Sequence, residues 1–222
     1  MKDTGIVREP FHFFTKMHLS ELTGLRASTL DQLLELLREV PGACIYYHTH
    51  RFLQQHLYLN PEPPNDFSYW VNDILGEGEL GEHLASIDIV RFSNIRALRE
   101  AFIRTIEDYI TAHPDARQRF SRDGEGFHFI KAVSFVFPTP HIVQTPAEFG
   151  RALKDVSIDS IYFHMFEAKL RLEKGTNDFS RWFESSVGDP DRAAQIARID
   201  PYTHTAEDLR AVLVDIVARG EG

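Results

Sequence analysis

Cysteine is nearly absent. Cys44 is the single one among 222 residues, which excludes an intramolecular disulfide and a zinc site built from paired cysteines. Basic charge is also scarce: 24 Lys and Arg stand against 33 Asp and Glu, a formal charge of −9. That balance argues against nucleic acid or an anionic membrane as the main partner, since both select clustered Lys and Arg. No run of apolar residues reaches the length of a membrane span, and the opening MKDTGIVREPF lacks the apolar core of a secretion signal. Phosphate-binding glycine loops, HExxH, CxxC and GxSxG are all missing, so the common nucleotide, zinc-protease and hydrolase signatures give nothing. A cytoplasmic chain without a cofactor is the resulting expectation, and no motif names an activity.

What the chain does have is an internal match. Residues 11–48 lie on 127–164 without a gap and agree at ten of 38 positions, among them Phe11-His12-Phe13 on Phe127-His128-Phe129 and Tyr46 and His48 on Tyr162 and His164. After a four-residue shift, NDFSYW at 65–70 falls on NDFSRW at 177–182, placing both tryptophans of the chain, Trp70 and Trp182, in one frame. The match predicts two helical units, 11–111 and 127–219, joined by a linker over 112–126 and packed as one pseudo-symmetric domain. The expected fold class is mainly α, a tandem duplication with pseudo-twofold symmetry, with a minor strand element from the FHF segments.

Helical signals dominate each unit. Thr29 precedes Leu30, Leu33, Leu34 and Leu37 at helical spacing, the pattern of a capped amphipathic helix. Helices are expected over about 43–57, from Asn65 or Asp66 to Gly76, over about 79–87 and over about 94–111, with counterparts in the second copy. FHFFTKMHLS and FHFIKAVSFVFP carry the aromatic and β-branched content of strands, and pairing with one another is one arrangement open to them.

The candidate chemistry centres on YHTHRFLQQH. His48, His50 and His56 invite a metal, but on a regular helix His48 and His50 point to nearly opposite sides, so no metal site is assigned. Cys44 and His48, matched by Ser160 and His164, place a nucleophile-type side chain one turn before a histidine. Cys44, His48 and His164 are therefore the catalytic candidates, against the plain alternative of buried, hydrogen-bonded core groups. His164 and Glu167 share a helical face, the spacing of a histidine–carboxylate pair. Tyr46, His48, His50, Arg51, His56, Tyr162, His164 and Glu167 form the ligand-binding candidate set. His48, His164, Tyr46 and Tyr162 are the residues that would meet on a pseudo-dyad. The Pro-rich PEPPND (61–66) is special to the first copy and suits a fixed surface ridge.

YHTHRFLQQH, PEPPNDFSYW, YFHMFEAKLR and DPYTHT together resemble an uncharacterised bacterial family, a domain of unknown function. The resemblance spans nearly the whole chain and implies no activity, so no functional residue is carried over from it. Two classes of function follow from the residues. One is a non-enzymatic binding or regulatory module, with a protein partner. The other is an enzyme or small-ligand or metal-binding protein with a His/Tyr-lined cleft between the two copies.

Overall fold

The computed structural model describes residues 7–51, 65–168, 176–199 and 206–219. The fold is α+β, which corrects the mainly α expectation. Two strands of 17 residues each, β1 (Phe11–Ala27) and β2 (Phe127–Val143), replace the minor strand element. They form one two-stranded sheet. Thr23 donates its hydroxyl to the Phe129 carbonyl, Lys131 pairs with Glu21, and Thr139 donates to the Phe13 carbonyl. Rising numbers on one strand meet falling numbers on the other, so the sheet is antiparallel.

Contacts divide the chain into two compact units, residues 18–133 and residues 1–17 with 134–222. The boundary cuts both strands. Each unit takes the late half of one strand and the early half of the other, so residues 18–133 form one continuous stretch while the other unit joins residues 1–17 to 134–222. This fold does not itself evidence a tandem duplication. The sequence match divides the chain at 112–126, whereas compactness follows strand pairing.

In the unit of residues 18–133, α1 (Leu30–Glu39) starts where expected, with the Thr29 hydroxyl accepting from the Gln32 N–H at 3.3 Å. The Gln32 side chain reaches back to the Ser28 N–H at 2.7 Å, a reciprocal cap that satisfies two otherwise orphaned donors. α2 (Gly42–Tyr46) runs into a π-helical turn, Tyr47–Arg51. α3 (Asp66–Tyr69) runs into a second, Trp70–Ile74. α4 (Gly78–Ala85) and α5 (Ile95–Ala112) follow. Asn94 caps α5 by accepting from the Ala97 N–H at 2.8 Å. Leu30, Leu33, Leu37, Ile45, Phe67, Phe102 and Phe129 are fully buried in one apolar cluster, which supplies the main driving force for this unit.

The other unit contains α6 (Pro146–Asp155) and α7 (Ile158–Tyr162), which continues into a π-helical turn, Phe163–Glu167. α8 (Asp178–Trp182) continues likewise into Phe183–Val187. α9 (Pro190–Ala197) and α10 (Ala206–Ala218) complete it. Its centre is aromatic: Phe11, Phe13, Phe149, Phe179 and Trp182 pack with ring centroids 4.8–5.8 Å apart, the spacing of favourable ring pairs. Among the described residues, no helix is long and apolar enough to cross a membrane.

Tyr109 on α5 carries a testable titration. Its phenol donates to Glu77 at 2.6 Å. Burial, and then that hydrogen bond, push its pKa up to about 12. The folded state thus holds the proton more tightly than the unfolded chain, whose tyrosines titrate near 10. The resulting stability is complete below pH ~10 and is lost as pH rises toward ~12. Tyr109→Phe is expected to remove that part of the alkaline destabilisation, as followed by tyrosinate absorbance and unfolding melts. An unchanged alkaline slope in the variant would refute the assignment.

Candidate functional site

His48 sits in the π-helical turn after α2 and is 2% exposed. Its Nε2 accepts the backbone N–H of Ile130 on β2 at 2.9 Å, and its Nδ1 lies 2.6 Å from Asp66 Oδ2. A backbone N–H only donates, so Nε2 carries no proton and Nδ1–H donates to the carboxylate. The ring packs 4.7 Å from Phe127 and 5.6 Å from Phe67. The other unit holds the same arrangement. His164, 3% exposed, accepts the Phe14 N–H of β1 at 2.8 Å and donates to Asp178 at 2.8 Å, against Phe11 and Phe179. In each case a carboxylate fixes the tautomer and the imidazole holds a strand. The neutral ring's one lone pair is engaged by the backbone. Neither histidine can take a metal or abstract a proton without letting go of its strand.

The nucleophile-plus-histidine pairs dissolve on this geometry. Cys44 is fully buried and burial pushes its thiol pKa up, the opposite of what a reactive thiolate needs. Ser160 donates to the Phe14 carbonyl at 2.6 Å. Ser160 and His164 therefore hold the two polar groups of one strand residue, which is anchoring rather than nucleophilic activation. Glu167, 4% exposed, meets Lys16 of β1 at 2.5 Å.

Tyr46 and His50 do come together. Their rings stack at 5.5 Å and 6° between planes, and His18 of β1 also stacks with Tyr46, at 5.4 Å. The Tyr46 hydroxyl is 3.3 Å from His18 Nε2. The Thr49 hydroxyl donates to the Ile45 carbonyl at 2.6 Å, so His50 Nδ1–H donates to Thr49 at 3.0 Å. His50 is 3% exposed and lies in the π-helical turn Tyr47–Arg51. In the other unit Tyr162 packs on Phe166 at 5.0 Å, so the same tyrosine meets a phenyl ring in place of an imidazole. The backbone of Arg51 closes the first π turn. His56 and residues 61–64 of the Pro-rich stretch lie outside the described residues.

Sequence reasoning missed Asp66, Asp178, His18, Lys16 and Thr49. The two aspartates read as helix caps, but Asn65 and Asn177 do the capping, accepting from Ser68 and Ser180 N–H at 2.9 Å and 2.8 Å. The doubled Asn-Asp signal was present in both copies; one member caps and the next orients a histidine.

Two further surfaces complete the search for a site. A cavity of about 390 Å³ in the unit of residues 1–17 and 134–222 is walled by Phe11, Phe14, Phe163 and Trp182, with His12 and Arg181 among its polar lining. Among the described residues, no three His, Cys, Asp or Glu side chains converge as metal ligands. The second surface is the strands. The most exposed large apolar side chains among the described residues include Leu19 at 52%, Leu22 at 74% and Leu25 at 40% on β1. Phe135, Val136, Phe137 and Ile142 on β2 are each more than 40% exposed. The exposed halves of the strands are 19–26 and 134–142.

Among curated proteins none matches the chain. A solved structure, that of OrfY from Thermoproteus tenax, is similar at 28% identity with a TM-score of 0.82, the match covering 98% of each chain. The model of a family of unknown function, DUF5752, matches residues 8–218, and the chain belongs to that family.

Proposed function

We propose that this chain is a non-enzymatic binding module that recognises a protein through the exposed halves of its strands. One observation carries the reading. Of the ten most exposed large apolar side chains among the described residues, eight lie on β1 and β2. Single exposed apolar residues are ordinary, but their concentration on one element is the mark of a recognition surface. Strand edges add unpaired backbone donors and acceptors, and so bind extended segments of other chains. The chemistry expected of the histidines supports the same conclusion by its absence from His48 and His164, whose ring nitrogens are occupied by Asp66 and Ile130 and by Asp178 and Phe14.

The test uses the buried state of Cys44, which leaves an introduced surface thiol as the reactive one. A photo-crosslinker is placed at Leu22→Cys, at Phe135→Cys, or at the exposed helical position Arg96→Cys. The strand positions are expected to give a discrete protein adduct that excess unlabelled chain competes away, while Arg96→Cys gives none. Equal labelling from all three positions, or no adduct from the strands, overturns the reading.

A further inference from the structure

The two strands present edges of opposite character. Along a strand, alternate residues direct their N–H and C=O groups to opposite edges. Phe14 shows which edge of β1 faces away from β2, because its N–H goes to His164 and its carbonyl to Ser160. Counting onward by twos, Ser20 and Leu22 direct their backbone groups to that same outer edge, up to Gly24, whose φ of +78° breaks the alternation. On β2, Ile130 gives its N–H to His48 on the outer side. The same count brings Pro138 and Pro140 to the outer edge. Proline has no N–H, and within a sheet it belongs on an outer edge. The exposed half of β2 is therefore stripped of two donors in succession. The exposed half of β1, Leu19 to Arg26, contains no proline and keeps its donors.

We infer that the outer edge of β1 pairs with the same edge of a second copy of this chain. The inference rests on the binding-module reading and names its partner. Two features favour a second copy over another segment. One open edge beside one blocked edge gives a closed, two-fold pair, whereas two open edges would propagate into a filament. The stretch is also self-complementary. An antiparallel copy centred near Leu22 lays Leu19 toward Leu25 and Leu22 against Leu22, covering the three most exposed leucines of β1. A contact of one short strand on each side is small beside the ~1,600 Å² of a stable interface, so the association is expected to depend on concentration.

Sedimentation velocity of the full chain over ~1–200 µM tests this, the range being set by that small interface. The expected result is a shift from 25.5 kDa toward twice that mass. Leu22→Pro removes the central donor and is expected to abolish the shift. Leu22→Lys, which keeps the backbone intact, is expected to weaken the shift at least tenfold, with an unchanged melt confirming the fold. Pro138→Thr with Pro140→Thr restores donors on the second edge and is expected to give assemblies larger than two chains. A wild type that stays at 25.5 kDa throughout, or a dimer indifferent to Leu22→Lys, overturns the inference. If such a monomer still gives a strand-specific adduct of another mass, the binding-module reading stands without the second copy. If the strands give no adduct at all, both fall.

Discussion

His164→Ala is expected to destabilise the protein by about 4 kcal/mol, the sum of a cavity and two stranded polar partners. The ring packs against Phe11, Phe13 and Phe179. Its removal opens a gap in the aromatic centre of that unit, where large-to-small changes cost about 2–5 kcal/mol. It also leaves the Phe14 N–H without its acceptor and takes a hydrogen bond from Asp178. His164→Phe separates the two contributions, because it fills the volume but accepts nothing. The phenylalanine variant is expected to recover about half the loss in chemical denaturation, in line with the ~1–3 kcal/mol cost of an unsatisfied buried group. In both variants the Phe14 amide is expected to exchange hydrogen faster. A loss below about 1 kcal/mol, the range of ordinary surface substitutions, would show that His164 is not a strut. His48→Ala is the corresponding change in the other unit, with Ile130 as the amide to follow.

Lys16→Met is expected to cost about 3 kcal/mol. Glu167 is 4% exposed and its carboxylate meets Lys16 at 2.5 Å. A buried pair gains little over an apolar pair of similar size, yet breaking it from one side costs about 3–5 kcal/mol, because a charge stays behind in a low-dielectric site. In the alignment of 11–48 on 127–164, extended to Glu167, Lys16 falls on Ala132 and Glu167 on Arg51. The pair thus belongs to one unit alone. The double variant Lys16→Met with Glu167→Leu is expected to return to within about 1 kcal/mol of the wild type. Melts of the four proteins give the coupling. A Lys16→Met variant as stable as the wild type would mean that the pair is not energetically coupled.

Both results turn on side chains that look catalytic in the sequence and act as struts in the fold. A histidine at a helix position reads as an acid, base or ligand because of its chemistry. Its role here is decided by what reaches its two nitrogens. For His48 that is Asp66, 18 residues away, and the amide of Ile130, 82 residues away. Neither distance leaves a trace in local spacing. The repeated Asn-Asp was the usable signal: two capping-type residues in succession exceed what one helix start requires, and the surplus aspartate needed a second role.

The strands show the same division between local and distant information. FHFFTKMHLS and FHFIKAVSFVFP were legible as extended chain from their aromatic and β-branched content. The continuation through ELTGLRA was not, since a ribbon exposed on both faces imposes no apolar alternation. Its regularity comes from hydrogen bonds to a strand more than a hundred residues away, such as Thr23 to Phe129.

By itself the sequence determined the local elements: the cap at Thr29, the helix starts at Asn65-Asp66, Thr145-Pro146 and Asn177-Asp178, the apolar stripe of α1, and the ends marked by Gly76 and Gly188, both at positive φ. These depend on groups within a few residues of each other, so they are written in short-range pattern. Tertiary structure alone decided that 11–17 packs with 134–222, that the helices widen into π turns at His48 and His164, and that the imidazoles hold strands. Each of these rests on a backbone donor or a strand edge supplied from far along the chain. Which distant segment supplies it is settled only when the chain folds and burial leaves no polar group without a partner.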